Sequence, residues 1–252
     1  MTEADNTQSN KTHDTEIIEL LIRLVKARSY PGIPHQEKEV VQELDSFFRS
    51  HGIETTITEV CDGRPNLLAS VEGTNPGPHL LLCGHTDTVP PNEGSSVDFF
   101  AAVEKQGKLY GRGTADMKGA LAAMAGALVH LKKSGSLTYG KVTLAAIIDE
   151  EKQTLGSEYL VKSGFKADAA IVGEPTDNQI DIGHKGLEWL VVDFEGKAAH
   201  GGTPESGINA IAAAAHFVYL VEKELIPEFQ KRRDPVLGLP ALNIGTIQGG
   251  DQ

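Results

Sequence analysis

Positive charge is scarce in this chain. Its 23 lysines and arginines stand against 35 aspartates and glutamates, a formal net charge of −12. Nucleic acids and anionic membrane surfaces both call for a basic footprint, so neither is expected as a partner. Long apolar runs are missing as well: no stretch approaches the roughly 20 residues that cross a bilayer. The opening MTEADNTQSNKTH has neither the basic start nor the apolar middle of a secretion signal, and a cytoplasmic location is expected. Two cysteines, Cys61 and Cys83, are too few for a disulfide scaffold, and in a reducing compartment both are expected as buried small hydrophobes. No internal repeat or low-complexity tract is visible.

What remains is a globular composition, 40% hydrophobic and 23% charged over 252 residues, which excludes disorder of the chain as a whole and suits one large domain or one and a half smaller ones. Residues 1–13 are polar and aperiodic and are expected as a disordered tail. After Asp14, a plausible N-cap, Ile17, Leu20, Leu21, Leu24 and Val25 repeat with the helical period. Val40, Val41, Leu44, Phe47 and Phe48 mark a second helix, closed by Gly52. The texture then changes. Glu54–Val60, Asn66–Glu72, His79–Cys83, Lys141–Ile148 and Ala169–Val172 are short, apolar or alternating runs bounded by turn residues, as strands are. The Ala/Leu/Met-rich stretch Met117–Lys133 reads as a buried helix between two of them, which implies a βαβ crossover. A further helix is expected near Leu155–Ser163. From Gly186 the pattern restarts with an alternating strand, Leu187–Phe194, a helix over about Gly207–Glu224 and a strand near Ala241–Gln248, as in the first half of a smaller α+β domain.

In open α/β sheets the ligand crevice lies beyond the carboxyl ends of the strands, and the chemically versatile residues fall there. His85 and Asp87 follow the third strand, in Gly84-His85-Thr86-Asp87. Positions 85 and 87 of an extended chain point to one side, so the Asp87 carboxylate can hold one ring nitrogen of His85 and free the other for a metal; by itself, a strand-end histidine equally caps a turn. Gly111–Gly119 (GRGTADMKG) precedes the long helix. A glycine-rich loop there can cradle phosphate, yet it has no Gly-Lys-Ser/Thr, and Asp116 occupies the place where a dinucleotide fingerprint has its third glycine. A carboxylate repels phosphate and suits a cation. Asp149-Glu150-Glu151 ends another strand, and three adjacent acids repel one another unless they share a cation or a proton. Glu174 ends the next. One histidine and several carboxylates at neighbouring strand ends make a mixed N/O set suited to zinc or a similar divalent ion.

Gly84-His85-Thr86-Asp87, Gly113-Thr114-Ala115-Asp116-Met117-Lys118-Gly119, Asp149-Glu150-Glu151 and Gly173-Glu174-Pro175-Thr176 together resemble the M20 metallopeptidase family, in the same order and spacing from about residue 15 onward. The resemblance implies a three-layer α/β/α catalytic domain, with its N-terminal part over residues 14–184, and an inserted α+β lid or dimerisation domain, here incomplete, over 185–252. It implies that His85 and Glu174 hold one zinc, that Glu151 helps to hold a second and that Asp116 bridges both, with Co2+ or Mn2+ able to use the same donors. Asp87 would orient His85, Glu150 would be the general base, and a non-proline cis peptide is expected after Asp116. Gly196–Ala210 (GKAAHGGTPESGINA) resembles the lid segment, whose His200 would stabilise the oxyanion in a homodimer.

The implied reaction is hydrolysis of the amide bond of N-acyl amino acids, of the deacetylase or desuccinylase type, by metal-activated water. The alternatives are an M20-type dipeptidase or carboxypeptidase, a non-catalytic metal-binding fragment, and, outside the family, a phosphate-binding module built on Gly111–Gly119. One departure stands out: the family's second zinc takes a histidine from beyond the lid, and no residue of this chain matches it. The expectation is therefore a fragment of a longer polypeptide.

Overall fold

A computed structural model describes residues 3–92 and 97–250, with side chains from Asp14 onward. The chain divides into two compact units, Met1–Asn178 and Gln179–Gln252. Among the described residues no helix is long and apolar enough to cross a membrane.

The first unit opens with α1 (Glu3–Lys26) and α2 (Lys38–Ser50). Helix α1 starts at Glu3, so most of the stretch expected as a disordered tail is helical; residues 1–2 lie outside the described residues. Once a helix is nucleated, each further turn costs little, and the Glu, Gln, Lys and Ala of this stretch resist it weakly. Strands β1 (Thr55–Cys61) and β2 (Arg64–Glu72) follow as an antiparallel hairpin. Its two-residue turn, Asp62-Gly63, has φ of 45° and 74°, a conformation that Asp-Gly adopts readily and that matches the strand twist. Next come β3 (Asn75–His85), a hairpin of β4 (Val103–Lys105) and β5 (Lys108–Tyr110), and α3 (Lys118–Ser134), which Gly135 closes at φ 61°. Strand β6 (Tyr139–Ile147), α4 (Leu155–Lys162) and β7 (Ala169–Val172) complete the unit. The main sheet runs β1-β2-β6-β3-β7, with β2–β6 antiparallel and both β6 and β7 parallel to β3.

This mixed sheet carries helices on both faces. Alternation along β6 sends Leu144 and Ala146 into a core shared with α1, α2 and α3, where Leu24, Phe48, Leu121 and Leu128 are fully buried. Ala145 and Ile147 turn to the other face, where Leu160 of α4 meets them. Beside them Cys83 is only half-buried, and Cys61 is likewise half-buried on the outermost strand; both are free thiols. Burial of the cysteines is thus less than expected, because one two-turn helix covers little of that face. Register brings the parallel strands to a common edge: His85, the last residue of β3, lies opposite Ile147, the last of β6, and Cys83 opposite Val172, the last of β7.

The second unit has a 3-10 turn over Pro204–Ser206, α5 (Ala210–Leu220), a π-helical turn over Val221–Leu225 and α6 (Ile226–Phe229). Asn209 caps α5 by accepting the Ala212 N–H at 3.0 Å. The helix thus begins three residues later than expected and runs further, the π turn falling just before Pro227, which has no N–H to continue the α ladder. The strands expected at Leu187–Phe194 and Ala241–Gln248 are not formed. Neither segment has a ladder partner among the described residues, and an isolated strand leaves its backbone groups and apolar side chains to water.

Candidate metal centre

The site lies where three parallel strands end. The chain leaving β3 is held to β6 by Thr86, whose N–H and hydroxyl both donate to the Ile147 carbonyl, at 2.8 and 2.9 Å. The Gly173 N–H, just after β7, donates to the Cys83 carbonyl at 3.0 Å. Asp116 arrives from the loop before α3. Gly119 lets that loop fold back on the helix, since a Cβ there would collide with the Thr114 carbonyl. The Asp116–Met117 peptide is cis, at the expected position.

His85 is buried at the centre of the cluster, 1% exposed. Its Nδ1 lies 3.0 Å from the Asp87 main-chain carbonyl and 3.6 Å from the Asp87 carboxylate. A carbonyl only accepts, so Nδ1 carries a proton, and Nε2 is the nitrogen presented to the site. Three carboxylates surround it: Asp116 Oδ1 at 3.0 Å, Glu174 Oε1 at 3.7 Å and Glu150 Oε2 at 3.9 Å. The ligand atoms of His85, Asp116 and Glu174 lie within 4.8 Å of one another. The Asp87 carboxylate, expected on the ring of His85, has a larger task as well. It accepts the N–H of Glu150 and of Glu151, each at 3.1 Å, tying the end of β6 to the loop after β3.

The electrostatics are those of a crowded anionic site. Burial works against a charged His85, but hydrogen bonds to Asp116 and Asp87 and the nearby Glu174 outweigh it and push its pKa up to about 11. The same bond to His85 holds Asp116 below its ordinary value despite burial. Burial raises Glu151 and Glu174, and the neighbouring acids Asp116, Glu150 and Asp87 raise them further, while His85 opposes. A cation shared by these groups would relieve the same crowding. The donor set, one imidazole nitrogen and converging carboxylates around a buried pivot, fits a divalent ion of the zinc kind. Beside it opens a cavity of about 230 Å³ lined by Arg112, Thr114, Asp116 and Glu151 among others.

Of the residues singled out in the sequence, His85, Asp87, Asp116, Glu150 and Glu174 are thus brought together by direct distances, and Glu151 joins them through Asp87 and the cavity wall. His200 belongs to the second unit. It is exposed, and its Nδ1 accepts the Gly202 N–H at 3.0 Å, which leaves Nε2 as the protonated nitrogen of the neutral ring. Sequence reasoning missed the charges that support the centre from behind. Lys118 is fully buried with Nζ donating to the Ala27 carbonyl at 2.7 Å, and burial lowers its pKa to about 7 against the pull of Glu39 and Asp87. Arg64 binds buried Glu37 and Asp149. Lys118 and Arg64 have no local signal in the sequence, because their partners lie tens of residues away.

A mixed α/β sheet with a histidine and acids gathered at its parallel strand ends is an arrangement suited to a metal ion. Residues 81–233 match the model of peptidase family M20/M25/M40, and the chain belongs to this family. It is 37% identical over 211 residues to a probable succinyl-diaminopimelate desuccinylase of Staphylococcus epidermidis, covering 82% of this chain and 51% of that protein. It is 36% identical over 248 residues to an acetylornithine deacetylase of Photorhabdus laumondii, covering 93% of this chain and 62% of that one. The chain therefore spans about half to three-fifths of the length of these curated relatives. In fold it is similar to a tripeptidase of Staphylococcus aureus, with a TM-score of 0.59 at 24% identity, covering 81% of this chain and 56% of that one.

Proposed function

We propose that the protein hydrolyses the amide bond of N-acyl amino acids, as a deacetylase or desuccinylase, at a zinc-dependent centre. The observation that carries this reading is the convergence of Asp116, Glu150 and Glu174 on Nε2 of a buried histidine whose other nitrogen is already engaged by Asp87. His85, Asp116 and Glu174 would hold one ion, and Asp116 with Glu151 would contribute to a second; Co2+ or Mn2+ could occupy the same donors. Bound there, such an ion supplies Lewis acidity, lowering the pKa of water and polarising a carbonyl.

The chain's own residues supply the rest. Glu150 is half-exposed and within 4 Å of the pivot, placed to take a proton from attacking water and return it to the departing amine. Asp87 keeps the proton on Nδ1 of His85 and holds the main chain of Glu150 and Glu151. His200 has its Nε2–H free to donate to the developing oxyanion, in a homodimer formed through the lid as the family resemblance suggests. A cytoplasmic location and a small acyl amino acid substrate belong to the same reading. The deacylase class is preferred over peptide cleavage because the relatives at 36–37% identity carry deacylase names.

The test is Glu150→Gln, assayed with N-acetylornithine and N-succinyl-diaminopimelate alongside metal content by elemental analysis. Turnover should fall about 10²–10⁴-fold with metal retained. A near-normal rate would remove Glu150 from the mechanism, and a wild-type protein holding metal without hydrolysing either substrate would favour a binding role.

A further inference from the structure

Glu150 and Glu151 reach the centre because the chain turns sharply after β6, and the turn depends on Asp149. This residue has φ 65°, a left-handed conformation that few side chains adopt without support. Its carbonyl accepts the N–H of Gln153 at 3.2 Å and of Thr154 at 2.6 Å, closing the turn. Its carboxylate is 2% exposed, and the Oδ1 atom accepts Arg64 Nη2 at 2.7 Å. The same guanidinium is anchored on the other side by Glu37, with Nε to Oε2 at 2.8 Å and Nη2 to Oε1 at 2.5 Å. Glu37 itself is fully buried and also accepts from Gln36 Nε2 at 3.0 Å. Arg64 is the first residue after the Asp62-Gly63 hairpin turn, so the geometry of that turn sets where the guanidinium enters.

We propose that Arg64, anchored by Glu37, is a positioning residue: by holding the Asp149 carboxylate it fixes the left-handed turn that aims Glu150 and Glu151 at the metal centre. The two glutamates are then clamped from both sides, by Asp87 through their N–H groups and by Arg64 through the residue before them. The guanidinium's fork is what the task needs, because it reaches two carboxylates at once where an ammonium offers one point of charge. This role rests on the reading of Glu150 as the general base.

Hydrogen exchange on the metal-free protein tests it without substrate or metal. In Arg64→Met, the amides of residues 150–154 should exchange at least about tenfold faster relative to the amides of β2 and β6. In the metal-loaded protein, kcat should fall about 10–100-fold, the usual loss when a residue supporting metal-site groups is removed, with KM within about twofold and Arg64→Lys recovering part of the loss. If Arg64→Met fails to fold because it strands two buried acids, the double variant R64M/E37Q leaves only Asp149 unpaired and is measured in the same way. Exchange at 150–154 that is unchanged, or that rises no more than in β2 and β6, overturns the proposal. So does an unchanged kcat in a variant whose exchange has risen. The two failures stay separate: an inactive wild-type protein counts against the hydrolase reading, whereas unchanged exchange counts against Arg64 whatever the activity.

Discussion

Leu144 and Leu190 both lie in alternating apolar runs of similar length, yet Leu144 is fully buried and Leu190 is 82% exposed. Strand β6 pairs with β2 on one side and β3 on the other and has helices over both faces. The run Leu187–Phe194 has no ladder partner among the described residues, and Trp189 and Val191 stand exposed beside Leu190. Alternation states which side chains would share a face; it does not provide the second strand or the covering layer that makes burial favourable. The first unit contains both within its own residues. For the second, the described residues supply helix packing and two isolated bridges, Lys197–Ile208 and Asp234–Gly238, but no sheet.

Truncating a side chain in each region sharpens this contrast most. Leu144→Ala should cost about 2–5 kcal/mol in urea unfolding, the loss of a buried leucine and the cavity it leaves. Trp189→Ala should stay within about 0.5 kcal/mol, since an exposed side chain away from special features contributes little. A large cost at Trp189 would mean that this face is covered in solution, for example by a second copy of the chain.

A smaller effect probes how the first unit joins its strand ends. The buried side chain of Asn66 accepts the Ile148 N–H at 3.0 Å and donates to the Gly156 carbonyl at 2.8 Å, linking β2, the end of β6 and the start of α4. Asn66→Ala leaves the buried Ile148 N–H unpaired and removes the side-chain donor from the Gly156 carbonyl, and should cost about 1–3 kcal/mol. A neutral result would show that water replaces the amide.

The smallest effect lies at the surface of the same unit. Burial works against an ionised Asp45, but hydrogen bonds from Thr55 and Arg49 outweigh it and hold its carboxyl below the ordinary value. Because folding lowers this pKa, the stabilisation is complete above the unfolded value of about 4 and is lost as pH falls through the folded value. Asp45→Asn should therefore cost no more than about 1 kcal/mol at pH 7, with the gap between variant and wild type closing as pH falls through the folded value. A difference that persists at low pH would point to packing.

Most of the first unit was legible because its signals are local. The βαβ unit of β3, α3 and β6 reads from period and length, and β7 matches its expected bounds, Ala169–Val172. Strand-end placement puts His85, Glu150 and Glu174 in one crevice, and Asp116 stands out by its carboxylate in the glycine-rich segment before α3. The β4–β5 hairpin escaped notice, since three residues on each side of Gln106-Gly107 are too few for a period to emerge. Arg64 was silent for a different reason: its partners Glu37 and Asp149 lie 27 and 85 residues away, and no local pattern encodes such a pairing. The helical stretch from Glu3 is hidden in the sequence because it is polar and carries no apolar period.

The sequence by itself determined the periodicities, the turn residues and the chemical types that gather at strand ends, because each of these is a property of neighbours along the chain. Only tertiary structure decided which nitrogen of His85 meets Asp87 and which residues press upon the other. It decided too that Asp87 holds two main-chain amides, and that a guanidinium from one hairpin braces the turn after another strand. Such contacts join residues tens of positions apart, and their energies depend on burial and distance, which exist only after the sheet has assembled.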